Sequence, residues 1–226
     1  MKEFPAIIAA LPREIEGLVR SWGKHNLPDN IIVYTNDHAV VACAGMGAQR
    51  VALAVEAAMW LKPVTALVSV GLAGACDPSL KVGDIIRAGS VIDASTGERY
   101  TDSQYRQILV STPTIASIQK KQALRRSYDA SAVDMEAATV AGIASTHHLP
   151  FRAVKVISDD ASFELEELSR FATQDGQFRE AAFALYASLR PRLWKKLFHL
   201  AGNSKHALKV LTEELESQLD WYRQRG

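Results

Sequence analysis

Three carboxylates, Glu14, Glu136 and Asp159, each follow a short apolar run and stand next to a turn or helix start. Open α/β sheets place ligands at such positions, beyond the carboxyl ends of their strands. A carboxylate fixed at a helix start accepts hydrogen bonds, and two neighbouring hydroxyls of a sugar would suit it. A carboxyl at the end of a strand can pass a proton into a cleft. Each residue also has a plain structural use. Glu14 and Glu136 would complement a helix dipole, and Asp159 would start a turn or cap a helix.

The elements that must position these groups are legible as runs. Ser131-Ala132-Val133-Asp134-Met135-Glu136-Ala137-Ala138 reads as a short buried strand ending in Val133. A helix then starts near Asp134, with Asp134 as N-cap and Glu136 in the first turn. Ala6-Ile7-Ile8-Ala9-Ala10-Leu11 is a continuous apolar strand that breaks at Pro12. Ile15, Leu18, Val19 and Trp22 then fall at helical spacing, so Glu14 is expected in a first helical turn. Residues 31–34 and 39–43 read as two strands joined around Asn36-Asp37. The glycine turn Ala44-Gly45-Met46-Gly47 opens a helix through Val51, Leu53, Ala54, Ala57, Ala58 and Trp60. Its backbone N–H groups could approach a ligand. A dinucleotide site is disfavoured, because the third glycine and the ribose-binding acid are missing.

Residues 65–70 form another buried strand, with an expected exit at Gly71-Leu72-Ala73-Gly74-Ala75. Leu80-Lys81-Val82-Gly83-Asp84 turns into a strand reaching Val91-Ile92. Residues 94–107 are polar and read as a loop, residues 108–111 as a strand, and residues 123–128 as helix. A strand over residues 151–157 leads to Ser158-Asp159. Strands alternating with helices argue for an α/β sandwich with a largely parallel sheet.

At 226 residues the chain is long enough for one domain with an appendage. A net charge of +1 gives no reason to expect nucleic acid as a partner. Cys43 and Cys76 sit in apolar surroundings without metal-ligand spacing, which speaks against zinc and disulfides. No signal peptide or membrane span is read, and the expected location is cytoplasmic.

The ordered set Glu14, Ala44-Gly45-Met46-Gly47, Gly71-Leu72-Ala73-Gly74 with Leu80-Lys81-Val82-Gly83-Asp84-Ile85, Val133-Asp134-Met135-Glu136-Ala137 and Ile157-Ser158-Asp159 resembles the nucleoside phosphorylase and nucleosidase superfamily. It looks closest to the methylthioadenosine/S-adenosylhomocysteine nucleosidase branch, over about residues 5–188. The resemblance implies a three-layer α/β/α sandwich around a mixed, largely parallel sheet. It implies cleavage of a purine nucleoside's N-glycosidic bond without metal or organic cofactor, by a homodimer. Asp159 falls on the general acid for the purine, and Glu14 on the carboxylate that activates water. Glu136 falls on the ribose-binding glutamate, with Met135 packing on the sugar. Met46, Leu72, Ala73, Gly74, Ile115 and Val133 are expected to complete the substrate site.

Phosphorolytic relatives carry an arginine and a serine or threonine where this chain has Ser69 and Leu72, and leucine cannot bind phosphate through its side chain. Hydrolysis is therefore favoured, with Arg50 and Arg87 left as possible phosphate ligands. The usual base-stacking aromatic is replaced by Thr112-Pro113-Thr114-Ile115, so Tyr100, Tyr105 or Ile115 would contact the base. A phosphorylase, or a nucleoside-binding protein without efficient turnover, remain the alternatives.

The division expected is a catalytic domain over residues 1–189 and a helical extension over residues 190–226. The extension reads as two helices broken at Asn203, the second presenting Leu208, Leu211, Leu215 and Leu219. Six Lys or Arg and no acidic residue lie from Arg190 to Lys209. With Trp194 and Phe198, that would suit either peripheral membrane contact or packing on the core or on a second subunit. In this respect the chain also resembles the hopanoid-associated members, which look like nucleosidases acting on a lipid-linked adenosine.

Overall fold

The apolar runs become strands buried on both faces, and the alternation of side chains divides them between two layers. In this computed structural model, residues 4–102, 104–163 and 191–225 are described, with side chains of the last segment over residues 202–219. Strand β1 (Pro5–Ala9) is flanked in parallel by β4 (Val40–Cys43) and β5 (Ala66–Ala75). Strands β3 (Ile31–Thr35) and β2 (Gly23–Leu27) extend that side antiparallel, and β2 was not foreseen. On the other side, β10 (Phe151–Asp159) runs parallel to β5 and antiparallel to β6 (Ile85–Asp93). Next, β8 (Gln107–Ser111) pairs in parallel with both β6 and β9 (Ala132–Asp134), and β9 returns antiparallel to β5. The ten-stranded sheet is therefore mixed, and β5, β10, β6, β8 and β9 close into a ring. Strand β7 (Arg99–Thr101) pairs with β6 inside the stretch expected to be all loop.

Helices α1 (Ala48–Leu61) and α3 (Ala137–Thr146) cover one face, where Val51, Val55 and Val140 meet Ile8, Val33 and Leu67. Helix α4 (Pro191–Arg225) covers the opposite face, where Ala207, Leu211, Leu215 and Leu219 meet Ile7, Val41, Val68 and Val156. Adjacent residues Ile7 and Ile8 thus serve opposite layers, as the strand period requires. Helix α2 (Ile118–Tyr128) lies against the ring through Leu124, packed with Ile92, Val110 and Val133.

Four local expectations are corrected. After Pro12 there is one 3-10 turn (Pro12–Glu14) followed by irregular turns, not an α-helix. Leu18 N–H reaches only back to the Ile15 carbonyl, and Gly17 is pressed so close to α4 that a Cβ there would lie 2.5 Å from Thr212 Oγ1. Strand β5 does not exit at Gly71 but runs to Ala75, because β10 and β9 both supply backbone partners along its extension. Helix α3 begins at Ala137, which leaves Glu136 at the cap position and Asp134 at the end of β9. Asp134 still does part of the expected capping, since its Oδ2 accepts the Ala137 N–H at 2.9 Å.

Finally, α4 runs unbroken across Asn203. The poor helix formers Gly202, Asn203 and Ser204 cost about 0.5–1 kcal/mol each. That is outweighed by the stripe at i, i+4 spacing that starts at Ala207; Leu208 is only half-buried. A bidentate bond from Arg87 on β6 to Glu214, at 2.9 and 2.6 Å, clamps α4 further. The side chains of Leu193, Trp194 and Phe198 lie outside the described residues, as do residues 164–190 at the end of the expected resemblance. Among the described residues no helix is long and apolar enough to cross a membrane.

If α4 is part of the core, Leu211→Ala should cost about 2–5 kcal/mol in urea-induced unfolding, as buried leucine truncations do. Exposed Glu213→Ala on the same helix should stay within about 0.5 kcal/mol of the parent. Equal stabilities for the two variants would instead mark α4 as a detachable appendage.

Candidate functional site

Gly74, on the extension of β5, is the point where the site is assembled. It lies opposite Val133 of β9 on one side and Asp159 of β10 on the other. The register of β10 shifts between Ile157 and Asp159, and such an irregularity re-aims the side chain that follows it. A cavity of about 230 Å³ opens here, and Asp159, Glu14, Glu136, Met135 and Met46 all line it. So do Leu72, Ala73, Gly74, Ile115 and Val133. These ten residues expected to form the substrate site therefore line one cavity.

Glu14 reaches the cavity because the 3-10 turn folds it back over β1. Its Oε2 accepts the N–H groups of Ala10 and Leu11 at 3.0 and 2.9 Å. Its Oε1 receives only a long 3.3 Å bond from Leu72 N–H, so that oxygen keeps accepting capacity. Gly71, with φ of +129°, makes room for it: a Cβ there would stand 2.9 Å from Glu14 Oε1. Leu72, where a phosphate ligand would be needed, thus gives its N–H to a carboxylate.

Glu136 is held by Gly47 N–H at 2.9 Å on Oε1 and by Met135 N–H at 3.2 Å on Oε2. Gly47 opens α1 with φ of +86°, so the glycine turn presents its N–H to Glu136. Each carboxylate oxygen keeps room for one more donor, as a pair of sugar hydroxyls would require. Burial, and next the charge of Asp134, push the Glu136 carboxyl up to about 7, against the pull of Lys155 and the Gly47 bond.

The sequence reasoning missed the cations. Lys155 on β10 is fully buried, with Nζ 3.0 Å from Asp134 Oδ2 and 2.9 Å from the Val70 carbonyl. Burial pulls its ammonium down, but Asp134, Glu136 and Glu14 together raise it above its ordinary value. Asp134 also accepts Ser111 Oγ at 2.6 Å, and Ser111 Oγ in turn accepts Ala138 N–H at 2.9 Å. A lone lysine inside an apolar strand run was the signal that could have revealed Lys155. Lys121 on α2 lines the cavity with its Nζ 2.5 Å from Asp159 Oδ2, while Ser158 Oγ bonds Asp159 Oδ1 at 2.8 Å. Nothing in the helical run 118–128 distinguished Lys121 from its neighbour Lys120. Arg13 and, from α4, Ser204 also line the cavity.

Four suggested ligands lie elsewhere. Tyr100 bonds Glu98 at 2.8 Å and rests near Gly142, and neither it nor Tyr105 lines the cavity. Ile115, 37% exposed, does line the cavity. Arg50 donates to the carbonyls of Ala44 and Asp29, and Arg87 is bound to Glu214. Among the described residues no group of three or more His, Cys, Asp or Glu is arranged to hold a metal ion.

No curated protein matches the chain in sequence. Among solved structures, futalosine hydrolase of Helicobacter pylori strain 26695 superposes with a TM-score of 0.73 at 16% identity, covering 97% of this chain and 98% of that one. The 5'-methylthioadenosine/S-adenosyl homocysteine nucleosidase of Helicobacter pylori gives 0.71 at 15% identity, with coverage of 97% and 98%. The Arabidopsis thaliana 5'-methylthioadenosine nucleosidase gives 0.71 at 15% identity, with coverage of 99% and 97%. At these identities the likeness speaks for the fold. The profile of the phosphorylase superfamily matches residues 6–115 and 94–189, most of the chain, and the chain belongs to that superfamily.

Proposed function

We propose that this chain is a nucleosidase that hydrolyses the N-glycosidic bond of a purine nucleoside of adenosine type. The observation that carries the reading is the meeting of Glu14, Glu136 and Asp159 on one small cavity, each a carboxylate whose oxygens can accept a further hydrogen bond. The solved relatives named as nucleosidases of methylthioadenosine support an adenosine-type substrate.

In this reading the base lies between Ile115 and the backbone at Ala73 and Gly74, with a ring nitrogen at Asp159. A purine anion is a poor leaving group, so a proton delivered at Asp159 is needed as the bond breaks. Glu136 holds the ribose hydroxyls, with Met135 and Met46 against the sugar. Carboxylate charge stabilises the oxocarbenium character that develops there. Glu14 takes the proton of the attacking water on Oε1, which carries only the long bond from Leu72 N–H. A cavity of about 230 Å³ is below the ~300–1,000 Å³ of most small-molecule sites, which favours a small sugar substituent or one that extends out of the cavity.

Water is favoured over phosphate by what surrounds Glu14. A phosphate beside that carboxylate would meet like charge, Leu72 N–H is already engaged, and Arg50 and Arg87 are bound elsewhere. Dimerisation, expected from the resemblance, belongs to the proposal, as do a cytoplasmic location and contact of the 190–226 segment with a membrane, both expected from the sequence.

Base release from a panel of adenosine-type nucleosides, with and without phosphate, tests the function. The expected result is release at the same rate in both conditions, lowered about 10²–10⁴-fold by Asp159→Asn with the fold retained. Release that requires phosphate would make the chain a phosphorylase, and tight binding without release would make it a nucleoside-binding protein.

Glu136 gives the second expectation. If the ionised carboxylate is the form that binds both hydroxyls, affinity for an unreactive nucleoside analogue should tighten about tenfold between pH 6 and pH 8. The ionised fraction rises by that factor across a value of about 7. Stability should move oppositely. A carboxyl raised in the folded chain favours the protonated form, so its contribution is full below the ordinary 4.5 and lost as pH rises through about 7. Glu136→Gln should abolish the pH dependence of binding and lessen the loss of stability. Calorimetric titration and thermal unfolding at each pH measure both.

A further inference from the structure

Lys121 and Asp159 form a built pair at the base end of the cavity. Lys121 is 2% exposed, and its Nζ donates to Asp159 Oδ2 at 2.5 Å, to the Asp160 carbonyl at 2.9 Å and to the Phe163 carbonyl at 3.2 Å. Three acceptors for three protons identify the ammonium form. Asp159 is accordingly the carboxylate member of an ion pair, its other oxygen bonded by Ser158. The backbone is cut to fit: a Cβ on Gly74 would stand 2.9 Å from Asp159 Oδ2 and 3.0 Å from Lys121 Cε. Ser117 caps α2 through Lys120 N–H and sets the turn from which Lys121 reaches inward.

This arrangement bears on the proposed hydrolysis, and the inference rests on that reading. An ordinary carboxyl is almost fully ionised near neutral pH, so a carboxylate alone brings no proton to a departing base. We infer that Lys121 is the proton reservoir of the site and that Asp159 relays its proton to the purine nitrogen. The ammonium passes a proton from Nζ to Asp159 Oδ2, and the carboxylic acid so formed passes that proton to the purine nitrogen. The C–N bond breaks, water forms the new C–O bond and gives its proton to Glu14. Solvent then returns a proton to Lys121 and removes one from Glu14. Asp159 touches the substrate, and Lys121 acts through it as a positioning residue.

The other groups facing the pair do not compete for this role. Cys76 lies beside it, its thiol pushed up to about 12 by burial and then by Asp159, with Lys121 and Arg125 opposing. Asp160 offers its carbonyl to Lys121, while its carboxylate is bonded by Ser162. Arg125, one turn along α2, is engaged by Asp77 and Asp129.

The pH profile of kcat for base release is the test, with nucleoside saturating. In the native protein turnover should persist above pH 8, because the proton it uses is drawn from an ammonium and not from a carboxyl. Lys121→Met should lower kcat about 100-fold at pH 8 with KM within about threefold, and move the basic limb at least one pH unit lower. Lys121→Arg keeps the charge but cannot yield a proton, so it should not restore kcat. A native profile that already falls below pH 6 would overturn the inference without any variant. Full activity in Lys121→Met, or restoration by Lys121→Arg, would reduce the lysine to a structural charge. Native protein that releases no base from any nucleoside would remove the functional reading itself, and this inference with it.

Discussion

Lys155 is the charge on which the rest of the site depends. It stands on β10, reaches the Val70 carbonyl of β5 and pairs with Asp134 at the end of β9. One buried ammonium therefore ties three strands of the ring together at the level of the cavity. Asp134 passes the constraint on, since it accepts the first N–H of α3 and the hydroxyl of Ser111 on β8. Taking such an ion out of water costs several kcal/mol, and losing one partner of a buried pair costs about 3–5 kcal/mol. The pair is thus poor material for stability as such and good material for holding one register.

The same ammonium makes a concentration of negative charge tolerable. Glu14, Asp134 and Glu136 are all buried within its influence, and the last still has its carboxyl raised to about 7 by burial and by Asp134. At the other end of the cavity Lys121 balances Asp159. Two buried cations on different elements thus each offset carboxylate charge around the cavity.

Much of this was legible in the sequence, and the reasons are physical. The continuous apolar runs at residues 6–11 and 65–70 forecast strands buried on both faces, and Ile7 and Ile8 serve opposite layers as the period requires. The glycines and carboxylates could be placed because short polar residues after such runs have few other uses. What could not be read depends on neighbours distant in the chain. Gly71 looks like a strand exit until β9 and β10 supply partners on both sides of it. The irregular turns after Pro12 bring Gly17 against Thr212, nearly two hundred residues further along the chain. Asn203 ends a helix by local propensity, yet the buried stripe beyond it carries α4 through. Lys121 is one of two adjacent lysines, and only the packing of α2 on the ring decides which of them turns inward.

The central claim is that water, positioned at Glu14, is the nucleophile. A single turnover in water enriched in the heavy oxygen isotope, with phosphate present, reads it directly. Attack by that water should leave one heavy oxygen at the anomeric carbon of the released sugar and no sugar phosphate. An unlabelled sugar 1-phosphate as the first product would contradict it and return the cavity to phosphorolysis.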